Sequence, residues 1–325
     1  MRYASLRFGC MGAAFALIAT AAPAYSQSKH TPVSNDGAVA PPIEAAFSGE
    51  SRANSGSPSR GVPRITESAL AAEGVFFEGE SGREFRRLVA LPDAGRRREA
   101  SGESAAEIIL GWDTRERLYT TTYPARAKVL ITFSAGRCSG TMIGPDTVAT
   151  AGHCVHSGGS FGSWYPTDSY RIYPGRDGAA SPYGVCTARN IHSVVGWTSN
   201  GDEEYDYGAI KLNCTVGNTV GWFGFAATEP TNLPTIIGGY PGDKQLTQWT
   251  SSDRVRAFSV RQIFYNNDTI GGQSGSGVWH DPTGPYIFGI HAYGTHGAGN
   301  HALYNHGTRI TSAVANNLLA WRNAP

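Results

Sequence analysis

The stretch Cys138-Ser-Gly-Thr-Met-Ile-Gly-Pro-Asp-Thr-Val-Ala-Thr-Ala-Gly-His-Cys154 decides how this chain is read, because it sets His153 between Gly152 and Cys154. Far downstream stands Gly272-Gln273-Ser274-Gly275, with Asp206-Tyr207-Gly208 between the two. A serine hydroxyl is a poor nucleophile until a histidine takes its proton. That histidine works best when an acid fixes its tautomer and stabilises its positive charge. The three residue types occur here in the order His, Asp, Ser.

Outward from these segments, the chain has 325 residues and a formal net charge of +1, a balance that argues against a dedicated nucleic-acid or membrane-surface binder. Arg2 and Arg7 precede an apolar run, Phe8 to Ala22, and Ala22-Pro23-Ala24 supplies small residues for cleavage. Residues 1–26 therefore read as a secretory signal. The run is about 15 residues, short of the roughly 20 that span a bilayer, so no membrane anchor is expected. Cys10 leaves with the signal, and the four cysteines that stay, Cys138, Cys154, Cys186 and Cys214, suit two disulfides in an oxidising compartment. Four cysteines allow three pairings.

Residues 27–107 are rich in Ser, Gly, Ala, Pro, Glu and Arg, lack apolar periodicity and include Arg96-Arg97-Arg98; this stretch reads as a weakly structured propeptide. From Ile108 the texture changes to short apolar runs, Ala127-Lys-Val-Leu-Ile-Thr-Phe133, Gly208-Ala-Ile-Lys-Leu212 and Tyr286-Ile-Phe-Gly-Ile290, separated by turn residues. That spacing predicts an all-β fold. At the end Ile310, Val314, Leu318 and Trp321 recur at helical intervals behind a Thr311 or Ser312 cap, predicting a closing α-helix. Residues 108–325, about 218 of them, would fill two packed antiparallel β-barrels.

The His, Asp, Ser order is that of chymotrypsin, unlike the Asp, His, Ser of subtilisins or the Ser, Asp, His of α/β-hydrolases. The segment from Cys138 to Cys154 resembles the chymotrypsin-like (trypsin) superfamily. Tyr123-Pro124, Met142-Ile-Gly-Pro145, Tyr205-Asp-Tyr-Gly-Ala-Ile210, Gly239-Tyr-Pro-Gly-Asp-Lys244, Gly271-Gly-Gln-Ser-Gly-Ser276 and Gly307-Thr-Arg-Ile310 narrow the resemblance to the bacterial glutamyl endopeptidases. It implies two barrels of the chymotrypsin type, His153 as general base, Asp206 as its orienting acid and Ser274 as nucleophile. The amides of Gly272 and Ser274 would form the oxyanion hole. It also implies a Cys138–Cys154 bridge, which leaves Cys186 for Cys214. Asp202, Glu203 and Glu204 read instead as solvated acids of a polar turn. Gln273 departs from trypsins, which carry an acid before the nucleophile, and Gly277 stands where the family usually has proline.

In the family a histidine and a hydroxyl receive the carboxylate of a substrate glutamate; here these are His291 and, five residues before Ser274, Thr269. Both can donate charge-assisted hydrogen bonds to an acid. A rival count places Asp268 where trypsins hold the acid for Arg or Lys. The expectation is thus a secreted serine endopeptidase, a monomer acting on polypeptides, cutting after Glu with no cofactor. The alternatives are a trypsin-like specificity and a protease-fold binding protein without catalysis. His291, His296, His301 and His306 invite a metal reading, but steps of five switch faces on a strand and the intervening glycines imply a loop, so no metal is expected.

Overall fold

The computed structural model describes residues 28–39, 52–57, 108–281 and 284–325. The signal segment, Arg96-Arg97-Arg98 and Glu107 lie outside them. Apolar runs between glycine-rich turns form fifteen strands among the described residues. In chain order they are β1 (Pro32–Ser34), β2 (Glu116–Arg117), β3 (Lys128–Phe133), β4 (Gly136–Met142), β5 (Thr147–Thr150), β6 (Arg171–Pro174), β7 (Ala188–Val194) and β8 (Gly208–Leu212). There follow β9 (Gly224–Phe225), β10 (Pro234–Gly239), β11 (Trp249–Phe258), β12 (Gln262–Tyr265), β13 (Gly277–His280), β14 (Tyr286–Tyr293) and β15 (Asn305–Arg309).

These make the two expected antiparallel layers. The first sheet runs β1-β7-β8-β5-β4-β3-β6. Its far strand curls back, and Ile172 and Cys186 exchange two backbone hydrogen bonds of 2.9 Å. The second runs β10-β13-β14-β15-β12-β11-β2, and a direct β10–β11 pairing closes it into a barrel. Val129, Ile131, Val148, Ile191 and Ile210 fill the first interior; Ile237, Val255, Ile263, Val278 and Phe288 fill the second. The closing helix is Ser312–Asn323, capped by Thr311, whose hydroxyl accepts from the Val314 amide. It lays Val314, Leu318 and Trp321 against the first barrel. Full burial of Val314 and Leu318 contributes about 1.5–3 kcal/mol each.

Short pieces of the segment before Ile108 pair with the first sheet and with Trp222. Residues Pro32–Ser34 add an edge strand to β7, in the register Pro32↔Val194 and Ser34↔His192. The Thr31 and Lys29 carbonyls accept from the amides of Val195 and Gly196. Asn54 exchanges backbone bonds of 2.9 and 2.8 Å with Trp222. A three-residue strand is too short to carry a period, so its pairing is visible only once β7 offers an edge.

Cysteines 138 and 154 are bonded to each other, as are Cys186 and Cys214. The second bridge joins the residue at the Ile172 seam to the chain leaving β8, so it clamps the first barrel where its ladder is thinnest. Replacing both cysteines, Cys186→Ser with Cys214→Ser, is expected to cost about 2–4 kcal/mol in denaturant unfolding.

Candidate active site

His153 sits in a single 3-10 turn, Gly152–Cys154, directly after β5. Its amide donates to Asp206 Oδ1 at 2.7 Å, and its ring Nδ1 lies 2.7 Å from Asp206 Oδ2. A carboxylate can only accept, so Nδ1 carries the ring proton and the lone pair of the neutral imidazole is on Nε2. Asp206 is wholly buried. It follows the turn Glu203–Tyr205, which the Asp202 side chain caps, and its own carbonyl accepts from Thr308 Oγ1 at 3.0 Å. Gly152 has a steric reason: a Cβ there would stand 2.8 Å from both Asp206 Oδ1 and the Trp197 ring.

Ser274 lies on the tight turn between Ile270 and β13. Gln273 shapes this turn, its side-chain oxygen accepting from the Ile270 amide at 3.0 Å and its own amide donating to the Ile270 carbonyl at 3.1 Å. Gly272 and Gly275 have φ of +105° and +87°, a region that suits glycine. The turn is held by Ser139 on the first barrel: its amide donates to the Ser274 carbonyl and its hydroxyl to the Gly272 carbonyl, both at 2.8 Å. An added Cβ on Gly275 would meet Thr150 Oγ1 at 2.1 Å and the Ala151 nitrogen at 3.0 Å. The serine turn thus abuts the chain leading into His153.

The expected pocket residues adjoin the same turn. On β14, His291 donates its amide to the Ser276 carbonyl at 2.9 Å and accepts from the Gly275 amide at 2.7 Å. Its buried Nδ1 lies 2.7 Å from the Tyr265 hydroxyl. Thr269 is wholly buried, and its hydroxyl has no hydrogen-bond partner among the described residues. Asp268 is occupied elsewhere. Its carboxylate accepts from the Leu110 and Thr114 amides, each at 2.8 Å, and from the Thr114 hydroxyl at 2.6 Å. Burial raises its pKa, and those donors work against the rise.

Some arrangements were not read from the sequence. The Tyr293 ring lies 5.8 Å from that of His153, and Trp197 packs edge-on to His153 at 6.3 Å. Tyr293 belongs to the same Gly289–Gly294 segment as His291, but nothing local marks a tyrosine that ends a strand beside a distant histidine. The acids read as solvated have partners: Asp202 meets Lys29 at 2.8 Å, Glu203 meets His296 at 3.2 Å and Glu204 meets Arg261 at 3.2 Å. Cys138 and Cys154 also flank His153 closely enough to suggest metal ligation, but their sulfurs are joined to each other in a disulfide and are not thiolates that could bind an ion.

A buried acid on a histidine, a serine turn docked against it and two antiparallel barrels define a peptidase of the serine type, and the chain belongs to the trypsin family, whose profile matches residues 115–316. Within that family it is similar to the glutamyl endopeptidase of Bacillus licheniformis, with 39% identity over 71% of this chain and 74% of that protein. It is equally similar, at 39% over 66% of this chain and 70% of the relative, to a Bacillus subtilis protein named extracellular metalloprotease. A solved glutamyl endopeptidase in complex with MPD superposes with a TM-score of 0.61 at 28% identity, covering 67% of this chain and all of that one.

Gly275→Ala tests the seam. The φ of +87° and the 2.1 Å approach to Thr150 leave no room for a methyl, so the turn must move away from His153. Backbone strain of this kind costs about 1–3 kcal/mol. The variant is expected to fold with reduced stability and to lose about 10²-fold or more in kcat, since small misplacements of a nucleophile are costly. Thermal unfolding and active-site titration measure the two effects separately.

Proposed function

We propose that this chain is a secreted serine endopeptidase that cleaves after glutamate, with His153, Asp206 and Ser274 as its catalytic groups. The observation that carries the reading is the pair of 2.7 Å contacts from the His153 amide and ring to one buried carboxylate, opposite a serine turn that Ser139 of the same first barrel holds in place. His153 Nε2 takes the Ser274 proton as Oγ attacks the substrate carbonyl. The tetrahedral oxyanion is received by the Gly272 and Ser274 amides, where one donor is typically worth about 2.7–4 kcal/mol. The C–N bond then breaks, the amine leaves with the proton from His153, and water hydrolyses the acyl-enzyme by the same route in reverse.

For specificity, the support is chemical. If Tyr265 donates its hydroxyl proton to His291 Nδ1, the neutral ring keeps its own proton on Nε2, and that nitrogen is a donor. The Thr269 hydroxyl is a second donor, buried and without a partner among the described residues, which is costly unless a ligand satisfies it. A glutamate carboxylate accepts from both, while an aspartate is shorter by one methylene. The acid on which the Arg or Lys reading rests, Asp268, already accepts from three donors of residues 110 and 114, which favours the Glu reading.

Ser274→Ala is expected to lower kcat by about 10⁴-fold or more, and adding His153→Ala should cost little further, since residues acting as one unit are not additive. Sequencing the products of a denatured protein should give cuts after Glu, with Asp weaker and Arg and Lys poor. His291→Ala should lower kcat/KM on a Glu substrate by about 10²-fold while a small, weakly selective acylating agent reacts nearly as before. Cuts mainly after Arg or Lys would overturn the assignment.

Maturation by cleavage at Glu107-Ile108, after export directed by residues 1–26, belongs to the same proposal. Its support is that Ile108 is anchored beside the pocket residues: its carbonyl accepts from Asn305 Nδ2 at 2.7 Å and from the Thr269 amide at 3.4 Å. A glutamate-directed enzyme could cut this bond itself. Ser274→Ala made in a protease-deficient host should therefore accumulate as precursor while the wild type begins at Ile108. N-terminal sequencing decides; a start after Arg98, or equal processing of both, excludes self-maturation there.

A further inference from the structure

The loop between β14 and β15 folds back so that three histidines meet one acid. The His296 amide donates to the His301 carbonyl at 2.8 Å, closing the loop. The rings of His301 and His306 then lie 4.7 Å apart, and His296 is 5.3 and 5.0 Å from the two. Glu203 arrives from the turn before Asp206 in the other barrel. One ligand atom each from Glu203, His301 and His306 lie within 4.8 Å of one another. The face switching that argued against a metal in the sequence is undone by this fold-back.

His306 supplies a second, independent observation. It is wholly buried, its ring stacked at 5.4 Å on Phe264 and 5.3 Å on Tyr293. Among the described residues neither ring nitrogen has a hydrogen-bond partner. A buried imidazole normally satisfies at least one nitrogen. His296 Nε2 is also buried, 3.2 Å from Glu203 Oε2 but without hydrogen-bond alignment.

We propose that Glu203, His301 and His306, with His296 at the rim, form a binding site for a divalent transition-metal ion of the zinc class. Imidazole nitrogens and one carboxylate are ligands that suit zinc, whereas calcium and magnesium take oxygen sets. Bonds of about 2.0–2.1 Å set tetrahedral ligand atoms about 3.4 Å apart, so the cluster must contract modestly. The half-exposed Glu203 and His301, on the helical turn Asn300–Leu303, can supply that by side-chain rotation. The Gln262 side-chain oxygen lies 2.8 Å from His301 Nε2; accepting that proton would leave Nδ1 as the ligand atom. The ion would join the turn leading into Asp206 to β15, and the Tyr293 ring separates the site from His153.

The test uses the full-length chain as secreted, stripped with a chelator and titrated with zinc against a colorimetric chelator, with thermal unfolding in parallel. The expected result is one tight equivalent, a higher Tm in zinc, and no comparable effect of calcium. His301→Ala and Glu203→Gln, each checked for a native circular-dichroism spectrum, should each weaken binding by about ten-fold or more and remove the Tm rise. His153→Ala should bind as the wild type does. Absence of binding at 100-fold excess zinc, equal binding by both cluster variants, or loss of the equivalent only in His153→Ala would overturn the proposal, the last by moving the ion to the active-site histidine.

Discussion

Burying the carboxylate of Asp206 is the constraint from which the rest of the cleft follows. A charge taken out of water is tolerated only when hydrogen bonds replace hydration. Asp206 obtains two from one residue, the amide and ring of His153, each at 2.7 Å. That arrangement dictates its neighbours. The residue before the histidine must lack a side chain, or its Cβ would press on Oδ1. Gly208 must let the chain pass close to the His192 carbonyl, which a Cβ would approach to 2.5 Å. The Asp206 carbonyl, facing the second barrel, finds the Thr308 hydroxyl at 3.0 Å.

The same economy governs the seam between barrels. Ser139 gives its amide to the Ser274 carbonyl and its hydroxyl to the Gly272 carbonyl, receives the Tyr240 amide at 2.8 Å, and has its own carbonyl bonded by Thr150 Oγ1 at 2.9 Å. One small residue on β4 thereby orders the serine turn, the start of the next loop and the strand that delivers His153. The Cys138–Cys154 bridge, one residue away, fixes the same strand to the histidine turn covalently.

Much of this was legible in the sequence because it is written in local signals: the turn glycines around Ser274, the apolar runs of β3, β8 and β14, and the 3.6-residue spacing of the closing helix. What escaped reading lies in contacts between residues far apart along the chain. Ser139 stands inside the decisive stretch, yet no pattern there announces bonds to residues more than a hundred positions downstream. Glu203 read as a solvated turn acid because its histidine partner sits on a loop in the other barrel. The fold class and the candidate site residues are thus set out by residue type and order, whereas the supports of the site depend on the fold being complete.

Asp268 illustrates the limit from the other direction, because counting back from the serine gives its position without its hydrogen-bond partners. A count preserves position in the chain and says nothing of which way the side chain turns. Here β11 supplies the Ser251 hydroxyl to the Asp268 amide at 2.9 Å, and the carboxylate turns to the backbone of residues 110 and 114. It thereby organises the segment that follows Ile108, while Asn305 Nδ2 is shared between the Ile108 and Asn267 carbonyls at 2.7 and 2.8 Å. The acid is therefore engaged by two amides and a hydroxyl, whereas the neighbouring Thr269 hydroxyl has no partner among the described residues. Two neighbours in sequence thus differ in their bonding: the Asp268 carboxylate is held by three donors from residues 110 and 114, which fix its orientation.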